Sequence, residues 1–259
     1  MPGRTIALTV LGSGSCVPRV RRASASYLLR HGETSVLIDA GSGALRRLVE
    51  SGFPWETLDG VLITHFHMDH VADLPALLFA FRNAPGLTRE RELLLGGPVG
   101  LEAVLHGLAD TFGRWVLDPG VPLRVVELPG EDLVLGGLEI SARPVHHSRN
   151  AIGFRLEACG RVVTFSGDTG VCDDLVWLAR GADVAIFECA NADQPPVATH
   201  LTPEEAGAVA EEAGVERLVL SHIYPAGDQM DLVGRARRTF NGEITVAEDL
   251  MTVWLSCRL

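Results

Sequence analysis

The chain has 259 residues, with 22 basic side chains, all arginine, against 33 acidic ones, for a formal charge of −11. Its 47% hydrophobic and 21% charged residues are an ordinary globular balance with material for a substantial core, and they exclude a disordered or fibrous chain. The acid excess argues against a broad nucleic-acid footprint, which rests on several basic contacts, and the lack of lysine excludes Schiff-base and Ser-Lys chemistry.

Taken in chain order, apolar runs predict strands over Ile6–Leu11, Ser26–Leu29 and Ser35–Ile38, then a helix over Gly43–Glu50 and a strand over Gly60–Ile63. A helix follows over Asp73–Arg82, a charged surface loop over Arg82–Glu92, a strand over Leu93–Leu95 and a helix over Gly100–Thr111. Strands over Leu123–Leu128, Leu138–Val145, Ala151–Leu156 and Val162–Phe165 lead to a helix over Asp173–Ala179 and a strand over Val184–Phe187. Thr202-Pro203-Glu204-Glu205 opens a helix over Pro203–Ala213 with an N-cap, a proline at the first helical position and a glutamate three residues after the cap; Gly214 stops it. Leu218–Leu220, Ile244–Val246 and Thr252–Leu255 complete the strands, with a helix over Leu232–Thr239 between them. Several runs are too continuous to have a solvent face, so helices must cover the sheets. The expected class is α/β, a four-layer αββα sandwich spanning 1–259 as one domain.

The first residues carry no apolar signal core, and no apolar run approaches the roughly 18–20 residues of a membrane span. Cys16, Cys159, Cys172, Cys189 and Cys257 are scattered, odd in number and without a C-x-x-C pair, which fits reduced thiols. These features predict a cytoplasmic protein with no membrane contact.

The chemistry is concentrated in Thr64-His65-Phe66-His67-Met68-Asp69-His70, which holds three of the chain's 9 histidines directly after the apolar run Val61-Leu62-Ile63. Neutral imidazole and carboxylate are good ligands for borderline cations such as Zn²⁺. His65 and His67, two apart on an extended segment, point the same way and can hold one ion. Asp69 and His70, where the chain turns into a helix, can face a second. His146-His147, Gly167-Asp168 and Ser221-His222 each follow the C-terminal end of another apolar strand, where open α/β sheets place their sites. Asp168, with two oxygens, is suited to bridge two ions.

With these residues in place the sequence resembles the metallo-β-lactamase superfamily, whose signature is H-x-H-x-D-H followed by a single His, an Asp and a final His. It is most similar to the ribonuclease Z branch and its small phosphodiesterase relatives, through Leu11-Gly12-Ser13-Gly14-Ser15, Pro18, Arg22, Leu37-Ile38-Asp39-Ala40-Gly41, Gly167-Asp168-Thr169 and Glu188…His200-Leu201-Thr202. The resemblance implies that His65, His67 and His147 bind one metal, that Asp69, His70 and His222 bind the other, and that Asp168 bridges them. His147 is chosen over His146 because the branch places a glycine six residues after its ligand, where Gly153 stands. Glu188 and His200 match a pair used beside the metals, and Asp39 a position that orients a ligating imidazole.

The implied activity is that of a dinuclear metal-dependent hydrolase, a phosphodiesterase working on a small phosphodiester through a hydroxide held between two divalent ions, zinc first, with manganese and iron as alternatives. Asp69, which is also a ligand, His200 and Glu188 are the expected catalytic residues. The alternatives are hydrolysis of carboxylic esters, thioesters or lactones, and a non-hydrolytic cyclase on the same fold. Members that process transfer RNA carry a long inserted arm, where here only Phe154–Ser166 separates Gly153 from Gly167. That departure argues against transfer-RNA maturation and for a small-molecule substrate without extended nucleic-acid contact. Homodimerisation is implied by resemblance alone. Phe66, Phe79, Phe81, Trp115 and Tyr224 are candidates for the pocket wall, with ordinary core packing favoured for Phe79 and Phe81 by their spacing inside a helix; Arg22 and Arg149 are candidates for grasping an anion, with surface solvation the default for each.

Overall fold

The computed structural model describes residues 5–130, 132–192 and 196–258. Within them the Val-, Ile- and Leu-rich runs form two seven-stranded sheets. The first holds β1 (Thr5–Gly12), β2 (Ser26–His31), β3 (Thr34–Ile38), β4 (Gly60–Leu62), β5 (Leu93–Pro98), β6 (Leu123–Leu128) and β14 (Thr252–Ser256), in the order β14-β1-β2-β3-β4-β5-β6. The second holds β7 (Leu133–Leu135), β8 (Leu138–Pro144), β9 (Ile152–Ala158), β10 (Arg161–Phe165), β11 (Val184–Glu188), β12 (Arg217–Ser221) and β13 (Glu243–Val246), in the order β13-β12-β11-β10-β9-β8-β7. Each sheet is antiparallel on one side and parallel on the other, from β3 to β6 and from β10 to β13.

Parallel neighbours need crossover connections, and helices supply them. On the first sheet these are α1 (Ala44–Glu50), α2 (Met68–Val71), α3 (Leu74–Asn83) and α4 (Leu101–Phe112); on the second they are α5 (Asp173–Ala179), α6 (Pro203–Ala213) and α7 (Leu232–Ala236). Leu8, Phe154, Phe165 and Ile186 are buried between the sheets. Leu48, Leu77 and Leu101 fill the space under the helices of the first sheet, and Leu175, Val209 and Leu220 that under the helices of the second. The layers are therefore αββα, as expected. Strands such as β4 and β11 are buried at every residue because both of their faces are covered. No helix among the described residues is long and apolar enough to cross a membrane.

The N-terminus of α6 is built as its sequence predicts. Thr202 Oγ1 accepts from the Glu205 N–H (3.2 Å), and the Glu205 carboxylate accepts from the Thr202 N–H (2.8 Å). Thr202→Ala is expected to cost about 1 kcal/mol, read as a lower urea midpoint with an unchanged slope.

Three expectations are corrected. β7 was not predicted, although Gly136-Gly137 between Leu135 and Leu138 makes a two-residue hairpin turn; three residues are too few to show a period. The last helix ends at Ala236 and not Thr239, because the following turn tightens to i→i+3 bonding from Thr239 N–H to Ala236 O. Cys159 and Cys257, expected as reduced thiols, form a disulfide across 98 residues, while Cys16, Cys172 and Cys189 are free. Spacing could not reveal that pair, since β14 and the β9–β10 turn meet only when the sheets stack.

Candidate metal centre

The histidine-rich segment leaves β4 as a loop, and His67, in extended conformation, caps α2, which carries Asp69 and His70. The loop is pressed onto the segment after β3: Ala40 N–H donates to His70 O and Asp73 N–H to Ala40 O, both at 2.8 Å. A Cβ on Gly41 would lie 2.1 Å from the Asp69 carbonyl oxygen, so only glycine permits this approach. Gly167 (φ +58) turns the chain after β10 in a conformation that favours glycine, and its missing Cβ leaves room for Thr64. His147 arrives after β8 and His222 after β12, the latter in a left-handed conformation (φ 55) uncommon for a residue other than glycine. Non-glycine residues held there point to a functional constraint.

These segments bring all seven predicted ligands together as two adjoining groups. His65, His67, His147 and Asp168 form one, and Asp69, His70 and His222 the other, with donor atoms inside each group within 4.8 Å of one another. In the first, His65 Nε2 and His147 Nε2 both face His67 Nδ1 at 3.1 Å. In the second, Asp69 Oδ2 lies 3.2 Å from His222 Nε2 and 3.8 Å from His70 Nε2. Asp168 faces both. Its Oδ2 is 3.8 Å from His65 Nε2 and from His147 Nε2, and its Oδ1 is 3.3 Å from His70 Nε2 and 3.4 Å from His222 Nε2.

The hydrogen-bond inventory fits cations. His70 Nε2 and Asp168 Oδ1, both facing into the second group, are buried without a hydrogen-bond partner, a cost proteins avoid unless another group engages those atoms. His70 Nδ1 is 2.7 Å from Asp39 Oδ2, and His147 Nδ1 is 3.1 Å from Thr199 O. Each ring thus donates its Nδ1 proton outward and keeps a lone pair on Nε2, the tautomer of a metal ligand.

The electrostatics agree. Burial, and next His70, hold His65 well below the ordinary imidazole range, so it stays neutral, as ligation requires. Burial alone would raise Asp168, but the imidazoles of His222, His70 and His65 pull it well below the usual carboxylate range. Burial likewise disfavours charge on His70, yet Asp168 and Asp39 hold it well above its usual value. The buried carboxylates thus demand positive charge at this point, and a divalent cation meets that demand while releasing protons.

Around the groups stand positioning residues. Asp39 (φ 58) accepts from the Thr64 N–H at 2.8 Å and the Thr64 hydroxyl at 2.9 Å as well as from His70. Asp39→Asn is expected to weaken metal affinity by about 10–100-fold, the usual cost of disturbing such a partner, measured by competition against a chromogenic chelator. Glu188 is buried at the end of β11; its Oε1 accepts from the Thr169 N–H (3.0 Å) and lies 2.6 Å from His200 Nδ1, and its Oε2 accepts from the Ala190 N–H (2.8 Å). Burial raises Glu188. Burial opposes charge on His200, but Glu188, Asp168 and Asp69 outweigh it and raise that imidazole. The His200 ring packs 4.8 Å from His147 and 6.1 Å from His222, which places it at the edge of both groups.

The walls are only partly as expected. Phe66 and Arg149 line a hollow of about 240 Å³ beside His65 and His67. Tyr224 lines another of about 520 Å³ with His200 and Asn191, and its ring meets His222 edge-on at 5.7 Å. Phe79, Phe81 and Trp115 lie away from the site: Phe79 packs on Trp115 and Phe81 on Trp55 as part of the α3 packing. Arg22 borders a third hollow with Asp69, but its donors are engaged by Asp228, Ser13 and the Ala247 carbonyl, which makes it a tie between loops. His146 is exposed, pairing through its backbone with Gly170. Sequence reasoning missed Thr64, Thr169 and the Thr199 carbonyl. The threonines flank two motifs and could have been suspected; a backbone acceptor leaves no trace in residue identity.

Residues 34–223 match the model of the β-lactamase superfamily domain. Among curated proteins, an uncharacterised protein of Mycobacterium tuberculosis is 35% identical over 245 residues, covering 93% of this chain and 89% of its own. A ribonuclease Z of Mycobacterium sp. (strain KMS) is 33% identical over 273 residues, covering 96% and 95%. Among solved structures, the metallo-β-lactamase fold protein YhfI from Bacillus subtilis superposes with a TM-score of 0.83 at 27% identity, covering 97% of this chain and 100% of that one. With matches of this extent around clustered histidines and aspartates at the strand ends, the chain belongs to the β-lactamase superfamily, as a metal-dependent hydrolase of the metallo-β-lactamase fold.

Proposed function

We propose that this protein is a dinuclear phosphodiesterase for small phosphodiesters. The observation that carries the reading is the division of donors into two groups sharing one carboxylate, with the Glu188–His200 pair at their edge. His65, His67 and His147 would hold one divalent cation, Asp69, His70 and His222 the other, and Asp168 both. Zinc suits this imidazole–carboxylate set, and manganese or iron would also be accepted. When bound, the cations supply Lewis acidity and a water that ionises near neutral pH.

The remaining work falls to the chain's own residues. His200 Nδ1 is engaged by Glu188, which leaves Nε2 to carry a proton to the departing oxygen; the carboxylate favours the protonated ring and orients it for that transfer. Phe66 and Tyr224 offer flat apolar walls on either side, and exposed Arg149 beside Phe66 can meet a negatively charged substrate. The ribonuclease Z relative supports phosphodiester chemistry. β9 and β10 are joined by a two-residue turn, Cys159-Gly160, so no arm for a large nucleic acid stands there, which supports a small substrate.

The test is a panel on protein reconstituted with Zn²⁺ or Mn²⁺: an aryl phosphodiester, cyclic nucleotides, an acyl thioester and a precursor transfer RNA. Turnover of phosphodiesters with none of the thioester or the RNA is expected, and removal of the metal by a chelator should abolish it reversibly. Thioester hydrolysis without phosphodiester hydrolysis would transfer the assignment to acyl substrates.

A further inference from the structure

Outside the catalytic groove one other set of described side chains has the donors of a metal site: His31, Cys159 and Cys257, whose nitrogen and sulfur atoms all lie within 4.8 Å of one another. They occupy the opposite end of the sandwich. His31 ends β2, Cys159 forms the β9–β10 turn with Gly160, and Cys257 follows β14. Both sheets therefore contribute, and all three residues are half-buried and within reach of a solute.

Their convergence does not depend on the sulfur–sulfur bond. The Arg258 N–H donates to Cys159 O at 3.1 Å and Arg161 Nε donates to Ser256 O at 2.7 Å, tying the end of β14 to the hairpin. Pairing of Ile6 with His31 and of Thr5 with Ser256 fixes His31 and Cys257 to opposite sides of β1. Reduced thiols would remain side by side. His31 Nδ1 lies 3.3 Å from the Thr5 carbonyl, an acceptor that selects the tautomer with Nε2 basic. Cys159 has φ 47 in a turn whose next residue, Gly160, has φ 74; asparagine or glycine sits there without strain, so a cysteine is an unusual occupant.

We propose that Cys159, Cys257 and His31 form a second, redox-gated metal site, which as the dithiol takes a thiophilic divalent cation such as Zn²⁺ and as the disulfide takes none. Two thiolates and an imidazole are zinc-type donors and leave a fourth position for water. The catalytic groups, built of nitrogen and oxygen, have no such preference for soft ions. Oxidation of the metal-bound pair by hydrogen peroxide removes two electrons from the two thiolates, forms the S–S bond, reduces the peroxide to two waters with two protons taken from solvent, and leaves the cation with only the imidazole. Bound metal or disulfide fastens β14 of one sheet to the β9–β10 turn of the other, so the site acts on the cohesion of the sandwich and leaves the groove untouched.

Co²⁺ distinguishes the two kinds of site, because only thiolate ligands give an intense near-ultraviolet charge-transfer band. Protein reduced with a phosphine and titrated with Co²⁺ should develop that band, and Zn²⁺ should bleach it. It should be absent from peroxide-oxidised protein and from the Cys159→Ser/Cys257→Ser variant, and the apparent affinity should fall at least about tenfold in His31→Ala. No band in reduced wild-type protein, a band that survives the double cysteine substitution, or His31→Ala titrating like wild type would each overturn the proposal. Should the double variant fail to fold, the comparison of reduced with oxidised wild type and the His31→Ala titration decide alone.

Discussion

Asp168→Ala is expected to reduce phosphodiester turnover by about 10³-fold or more, equivalent to ~4 kcal/mol of lost transition-state stabilisation, and to lower the metal content of purified protein. Its two oxygens face different donor groups, Oδ1 toward His70 and His222 and Oδ2 toward His65 and His147, so a single truncation removes a contact from each group. The carboxylate is buried. Asp168→Asn keeps one acceptor oxygen and should fall between alanine and wild type in metal content. Metal analysis and initial rates, with circular dichroism to confirm an unchanged fold, make the comparison. Wild-type turnover by Asp168→Ala at wild-type metal content would remove the basis of the two-group reading.

His200→Ala is expected to cost about 10²–10⁴-fold in kcat, the range for a positioned general acid, with metal content unchanged. The loss should depend on the leaving group. An aryl oxide departs without a proton and should show little effect, whereas a ribose or alkyl oxygen needs one and should show all of it. A purely structural histidine would depress both substrates equally. Glu188→Gln tests the same pair through pH. The carboxylate raises His200 above its usual imidazole value. The acid works while protonated, so activity falls as pH rises through that value. Removing the carboxylate lowers the value and should move the alkaline limb of the kcat profile to lower pH, while an unmoved limb would assign the proton to another donor.

The layered fold and most of the site could be read from local pattern. Unbroken apolar runs such as Val184–Glu188 announce strands covered on both faces, and Thr202–Glu205 carries its own helix start. His65, His67, Asp69 and His70 are close in sequence, so backbone geometry alone keeps them close in space. Phe79 and Phe81 pack beside the helix as their spacing favoured, whereas Trp115 was misplaced as a wall candidate because an aromatic has the same local pattern whether it faces a groove or a packed neighbour.

What the sequence by itself determined was the set of donors and the strands that end in them, since ligand chemistry and hydrophobic period are properties of short segments. The tertiary structure decided the contacts that realise those roles: which oxygen of Asp168 faces which group, the Thr199 carbonyl behind His147, the bond of Asp39 to His70 in particular, and the unexpected meeting of Cys159 with Cys257. Each joins residues 21 to 98 positions apart. Their proximity follows from strand order and sheet stacking, which are set by burial summed over the whole core and leave no mark in the identity of any neighbouring residue.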